Sequence, residues 1–238
     1  MEFNDGYFSC MTYKNRKKIK IAGSLIILGM IIGILSIVPP VESDKFLEEV
    51  FPNKNQVLTG GILQFFLVPI YIGFSLLLYP ILKQYSKTLS IGFVCFRFMA
   101  ATFQLIGIIL LPIFVLLSQE YSASSSYLSI YELVGDILRL SRDLTNHLGV
   151  ILATGLGNIL FYLILYREKL VPKWLSVWGF IGNTAIMLAS FFIIFQLIEV
   201  ISTEYGLMSI PLVVQEIVLA IWLLTKGLKI KTNAQQNV

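Results

Sequence analysis

Residues 89–117 read LSIGFVCFRFMAATFQLIGIILLPIFVLL. One formal charge, Arg97, interrupts an otherwise apolar run. A bilayer core about 30 Å thick takes roughly 20 helical residues, and this stretch exceeds that. Five more runs of the same kind flank it: Ile19–Val38, Val57–Leu82, Leu144–Tyr166, Trp174–Ile198 and Met208–Leu228. The runs are continuous rather than alternating, so they predict helices and not the short two-periodic strands of a barrel. The expected fold is all-α: six transmembrane helices in a bundle.

Composition agrees with that class. Of 238 residues, 56% are hydrophobic and 13% charged, where ordinary soluble domains carry about 25% charged. Mean hydropathy is +0.80. The chain divides into a tail over 1–18, a membrane domain over 19–228 and a tail over 229–238.

The net charge of +4 does not mark a nucleic-acid binder, because the basic residues are not one patch. Thirteen of them, among them Lys14, Arg16, Lys83, Lys87, Arg167, Lys173, Lys226 and Lys229, fall at the termini and on every second connection. The other connections hold four: Lys45, Lys54, Arg139 and Arg142. The positive-inside rule then places both termini in the cytoplasm. The acids Glu42, Asp44, Glu48, Glu49, Glu120, Glu132, Asp136, Asp143, Glu199 and Glu204 fall on the opposite side.

The first run is read as a spanning helix and not as a cleaved leader. Its basic stretch arrives only at Lys14, its apolar run is long, and Pro39-Pro40 ends it without a small-residue cleavage site. Cys10 and Cys95 are too far apart in topology to pair. Between the third and fourth runs, Ile130, Leu133, Val134, Ile137 and Leu140 recur at helical spacing after a Ser-rich linker. This predicts an amphipathic helix on the outer surface, or a lid. Gly29 with Gly33, Gly155 with Gly157, and Gly179 with Gly182 are read as close packing within one chain in preference to a dimer seam.

Ionisable groups inside a membrane are where function is sought first. Arg97 lies about 13 Å, and Glu216 about 15 Å, from one end of its span at 1.5 Å per residue. Asn158 and Asn183 fall at about 12 and 15 Å by the same count. Gln215 adjoins Glu216. Four helices thus put polar groups at one depth. An Arg97–Glu216 ion pair flanked by the two amides would relieve the burial of both charges. Two readings stay open: a structural clasp, or a site for a small molecule, ion or proton. Gln64 and Gln104 lie nearer the outer surface, where they either bond each other or line a vestibule. Asp143 and His147 share a helix face, but two ligands are too few for a metal, and a capped, solvated helix start is preferred.

No HExxH, GxSxG, P-loop or GxGxxG occurs. The chain therefore reads as non-enzymatic, without a cofactor. Its expected partners are the lipid bilayer and an unidentified small-molecule or ion ligand. The leading expectation is a small transporter or sensor-like component. The alternatives are a structural or partner-binding subunit and a lipid-modifying enzyme using His147, Asp143 and Asp136.

Several strings, in order, are familiar. They are Arg16–Leu35 with Ala22-Gly23, Gly29 and Gly33; Leu78-Tyr79-Pro80-Ile81-Leu82-Lys83; Gly92-Phe93-Val94-Cys95-Phe96-Arg97; Tyr166-Arg167 through Leu170-Val171-Pro172-Lys173-Trp174-Leu175 and Gly179; and Glu216 with Trp222-Leu223-Leu224 and Lys226-Gly227. Over residues 14–230 the chain resembles the bacterial "domain of unknown function 4386" family. The resemblance implies a multi-pass protein of the bacterial plasma membrane and carries no activity. The family's acid three residues after the span-three Arg is here Ala100. That leaves Glu216 as the expected acid for Arg97.

Overall fold

A computed structural model describes residues 3–124, 126–200 and 202–230, with side chains from residue 15 onward. The expected tail over 231–238 lies outside the described residues. Among the described residues the regular structure is helical: α1 (Phe3–Leu35), α2 (Pro39–Glu42), α3 (Phe46–Glu49), α4 (Lys54–Leu82), α5 (Lys87–Ala123), α6 (Leu128–Leu144), a π-helical stretch (Thr145–Ile151), α7 (Leu152–Arg167), α8 (Lys173–Ile194) and α9 (Thr203–Thr225). Six helices are long and apolar enough to cross a membrane: Asn15–Leu35, Lys54–Leu82, Lys87–Ala123, Leu128–Arg167, Lys173–Ile194 and Thr203–Thr225.

These six close into a ring. Each packs on its neighbours in sequence, α1 on α4, α4 on α5, α5 on α7, α7 on α8 and α8 on α9, and α9 returns to α1. Short turns join α4 to α5 and α7 to α8 in this up-and-down order. The start of the first span and the end of the sixth therefore lie on one face, here the terminal face; the opposite one is the distal face.

The terminal half of the ring interior is packed solid. Leu78, Ile81, Leu82, Leu165, Leu175 and Leu223 are fully buried there. Phe74, Phe93 and Phe161 form an aromatic layer above them, with ring centres 5.9, 5.8 and 5.2 Å apart. Gly227 adopts φ +74° and closes α9, its N–H bonding back to the Trp222 carbonyl at 2.9 Å. Such a reversal suits a residue without Cβ. Lys229 N–H then bonds the Leu170 carbonyl at 2.9 Å, which ties the last described segment to the α7–α8 turn.

Helix lengths explain the distal half. α5 has 37 residues, about 55 Å, and α6 through α7 has 40, about 60 Å, against a membrane core of about 30 Å. Both project beyond the other spans, and the α1–α4 connection folds against them. Val38, Val41, Phe46, Leu47, Val50, Leu111 and Phe114 make a second core there. Ser118 fastens it, donating to the Leu47 carbonyl at 2.6 Å and accepting from Phe51 N–H at 2.9 Å.

Two sequence expectations are corrected. Pro39-Pro40 does not stop the first span, which already ends at Leu35. The prolines begin α2, where a missing N–H has no partner to lose. The amphipathic helix is present, yet it is not a separate surface element. It runs through the π stretch into the fourth span.

The face of that helix that packs is not the apolar stripe. Ile130, Leu133, Val134, Ile137 and Leu140 are exposed, and Gly135 is the buried residue. A Cβ on Gly135 would stand 2.7 Å from the Phe46 ring, so only glycine lets the helix seat there. Arg142 pairs with Glu42, and Arg139 donates to the Glu42 carbonyl at 2.8 Å while lying 5.7 Å from the Phe46 ring centre. Polar groups, not the apolar stripe, dock α6 on the distal core.

The expected close packing at glycines is met inside the chain. A Cβ on Gly179 would come within 2.5 Å of the Tyr162 ring, and one on Gly182 within 2.9 Å of Leu212 backbone. Gly33 faces open space, and so does Gly206. Gly179→Ala should therefore lower stability by about 1–3 kcal/mol through overpacking. Gly206→Ala should be neutral or stabilising by up to about 1 kcal/mol from helix propensity. Thermal unfolding of both variants in one detergent checks the contrast.

Candidate functional site

Just distal to the aromatic layer, the polar groups expected at one depth do meet. Arg97 of α5 is 7% exposed. Its Nη2 donates to Asn158 Oδ1 of α7 at 2.5 Å. Asn158 Nδ2 donates to Asn183 Oδ1 of α8 at 2.9 Å, and Asn183 Nδ2 donates to the Gly179 carbonyl at 2.7 Å. Every donor in this chain points away from the arginine, so it ends on a backbone acceptor of α8. A second chain runs beside it. The Tyr162 hydroxyl donates to Gln215 Oε1 at 2.8 Å, and Gln215 Nε2 donates to the Leu175 carbonyl at 3.2 Å.

The guanidinium also rests on rings. Its Cζ lies 5.0 Å from the centre of Phe74, 5.6 Å from Phe93 and 6.0 Å from Tyr71. A buried arginine costs about 2.5–3.5 kcal/mol on insertion scales. A hydrogen bond from a charged group returns about 1.5–3 kcal/mol. Each cation–π contact adds about 0.5–2 kcal/mol. These magnitudes balance without an ion pair.

The expected Arg97–Glu216 ion pair is not formed. No nitrogen–oxygen contact within 4.0 Å joins the two side chains. Instead both line one cavity of about 220 Å³ among α1, α4, α5, α7 and α9. Tyr71, Thr154, Asn158 and Tyr162 contribute the other polar groups, and Leu25, Ile26, Met30, Ile70, Phe161 and Leu219 are among the apolar ones. Two buried atoms on this wall, Arg97 Nε and Thr154 Oγ1, have no hydrogen-bond partner among the described residues.

Of the five residues singled out in the sequence, Arg97, Asn158 and Glu216 face the cavity, while Asn183 and Gln215 brace it from behind. Tyr71, Thr154 and Tyr162 were not singled out. A signal for two of them existed, since Thr154, Asn158 and Tyr162 are spaced by four and share a helix face.

A larger vestibule of about 410 Å³ lies on the distal side. Gln64 and Gln104 line it, but they do not bond each other; Gln64 Nε2 donates to the Ser36 carbonyl at 3.0 Å. The Arg142–Glu42 pair, Asp143 and Asn146 stand around it as well. Tyr71 lines both the vestibule and the inner cavity.

His147 is not the solvated helix start that was expected. It is 1% exposed, within the π stretch. Its Nδ1 lies 3.2 Å from Ser190 Oγ, and its ring meets Tyr205 edge-on at 5.3 Å. The helix runs straight through this point because α6 and α7 are continuous, so there is no helix end to cap. Among the described residues no group of three or more His, Cys, Asp or Glu side chains is placed to hold a metal. Cys95 is a free, exposed thiol.

If the amide chain holds Arg97, its first link should matter most. Asn158→Ala should destabilise by about 1.5–3 kcal/mol, as loss of a charged hydrogen bond. Asn183→Ala should lose less, about 1 kcal/mol. The double variant should fall short of the sum by at least about 0.5 kcal/mol, since the two links share one chain. Reversible thermal or denaturant unfolding in detergent reads all three.

No curated protein and no solved structure matches the chain. The profile of one family, described as Domain of unknown function (DUF4386), matches residues 21–227. That is well over half of the sequence, and it ends on the Gly227 that closes α9. This integral membrane protein therefore belongs to the DUF4386 family.

Proposed function

We propose that this protein is a small transporter or solute receptor of the bacterial plasma membrane, with both termini cytoplasmic and the distal vestibule open to the outside. The observation that carries this reading is the placement of Arg97 and Glu216 on one cavity wall without contact. A structural clasp would join the two charges directly, because an unpaired buried charge is costly. Here each faces space that a solute or water can fill.

The surroundings support a pathway. The cavity is floored by Phe74 and Phe161 and by the packed terminal core. On the distal side only Tyr71 is shared with the vestibule. Pro69 lies two residues away inside α4, where it removes one helical hydrogen bond and loosens the local turn. The arrangement is that of a site open toward one face through a tyrosine gate and closed toward the other. The charge asymmetry of the connections supports the orientation.

The lipid-enzyme alternative fits less well. Asp143 lines the vestibule, but His147 is not among its lining residues and spends its Nδ1 on Ser190. An enzyme built on that pair would need both side chains at one surface.

Cysteine labelling tests the pathway. In a Cys10→Ser, Cys95→Ser background, Gln64→Cys in the vestibule should react quickly with a membrane-impermeant thiol reagent added outside intact cells. Thr154→Cys in the cavity should react slowly, and Tyr71→Ala should speed it by about tenfold or more, the size expected if a barrier of roughly 1.4 kcal/mol is removed. Labelling of Gln64→Cys only from the cytoplasmic side would refute the orientation. Labelling of Thr154→Cys indifferent to Tyr71 would refute the gate.

A further inference from the structure

Resting on the reading of the central cavity as a solute site, the geometry points to a small organic zwitterion, with one carboxylate, one ammonium group and an apolar body, as the class of ligand it takes. Three observations carry this.

The first is the state of the arginine. Arg97 is buried, yet among the described residues one hydrogen bond, Nη2 to Asn158, engages its donors, and Nε is left without an acceptor. Three aromatic rings surround the guanidinium, which holds it in place and favours approach in its plane. A planar fork with free N–H groups matches a carboxylate. The Thr154 hydroxyl, one turn from Asn158 on the same face of α7, is a further buried group without a partner on that wall.

The second is the acid. Glu216 comes from α9, lines the same cavity and has no ion pair within 4.0 Å. A carboxylate in such a place is an acceptor for an ammonium group. With both groups ionised, one positive and one negative, the wall carries zero net charge. A simple anion would meet Arg97 but be repelled by Glu216; a simple cation would suffer the reverse. A solute that carries both charges at its two ends suits both.

The third is size and lining. A volume of 220 Å³ equals roughly seven waters at about 30 Å³ each. It falls below the roughly 300–1,000 Å³ of drug-sized sites. Leu25, Met30, Ile70 and Leu219 supply an apolar wall for a short aliphatic body. A solute of the bulk of a medium amino acid meets these limits.

The experiment uses the full-length protein in detergent and three sets of probes. Zwitterions are L-alanine, L-leucine and L-methionine; the anion is N-acetyl-L-leucine; the cation is isoamylamine. Thermal unfolding is followed against concentration, because a ligand that binds the folded state raises the midpoint saturably. At least one zwitterion should raise it, and both single-charge probes should not. Arg97→Met and Glu216→Gln should each abolish the shift. Each variant is first shown to unfold cooperatively, and Thr154→Val, a milder change, should weaken the shift several-fold if the other variants do not fold. A shift with N-acetyl-L-leucine alone, lost in Arg97→Met, would overturn the zwitterion and leave an anion site. A shift with isoamylamine alone, lost in Glu216→Gln, would overturn it in favour of a cation site. No shift with any probe, together with a Thr154→Cys thiol that never reacts, would overturn the cavity reading itself. No shift with a reactive thiol would overturn the zwitterion class alone.

Discussion

A guanidinium cannot be left bare among apolar side chains, and Arg97 sits within the longest apolar run of the chain. Much of the ring interior answers to that constraint. α7 supplies the acceptor, Asn158, and α8 supplies Asn183 and then a backbone carbonyl on which the donors end. α4 and α5 supply the rings of Tyr71, Phe74 and Phe93. The amide chain demands close approach of α7 and α8, which Gly179 permits where the Tyr162 ring crosses it. Neutral acceptors and rings suffice to hold the charge. Glu216 is thereby released from pairing, and a cavity persists between the two.

The distal half has a different logic. α5 and α6 outgrow the membrane, and the connection from α1 folds between them into a small core. The π stretch at Thr145–Ile151 lies where this upper storey joins the ring. A π turn resets the register of the helix that carries it. Here it brings His147 against Ser190 and Tyr205, and it brings Gly149 under Phe103, whose atoms would stand 2.3–2.6 Å from a Cβ at that position. The vestibule occupies the space between the upper core and the ring. It is rimmed by the Arg142–Glu42 pair and ends at Tyr71.

The apolar runs made the spans readable, because a bilayer demands about 20 consecutive helical residues and little else satisfies it. The depth count made Arg97, Asn158, Asn183 and Glu216 readable as one layer, since rise per residue is fixed in a helix. Azimuth was not readable. Whether Glu216 turns toward Arg97 or beside it depends on the rotation of α9 against α1 and α8, and no local pattern sets that. The same gap hid Tyr71, an ordinary aromatic in an apolar span, and made Gln215 look like a cavity residue when it faces α7 and α8. The α6 stripe points outward, as that of a helix on a membrane surface does. Apolar periodicity marks one face of a helix, but in a membrane protein that face can point outward. Pro39-Pro40 likewise reads as a stop or a start with equal ease.

Arg97 is held by Asn158 and not by Glu216. Two double-mutant cycles on unfolding free energy, measured without added solute, compare the two directly. One combines Arg97→Met with Asn158→Leu, the other Arg97→Met with Glu216→Gln. The first should show a coupling of about 1.5–3 kcal/mol, the size of a charged hydrogen bond. The second should be smaller, below about 1 kcal/mol, as for charges separated by a solvated gap. A coupling of about 3–5 kcal/mol between Arg97 and Glu216, as a buried ion pair gives on breaking, with little between Arg97 and Asn158, would contradict it.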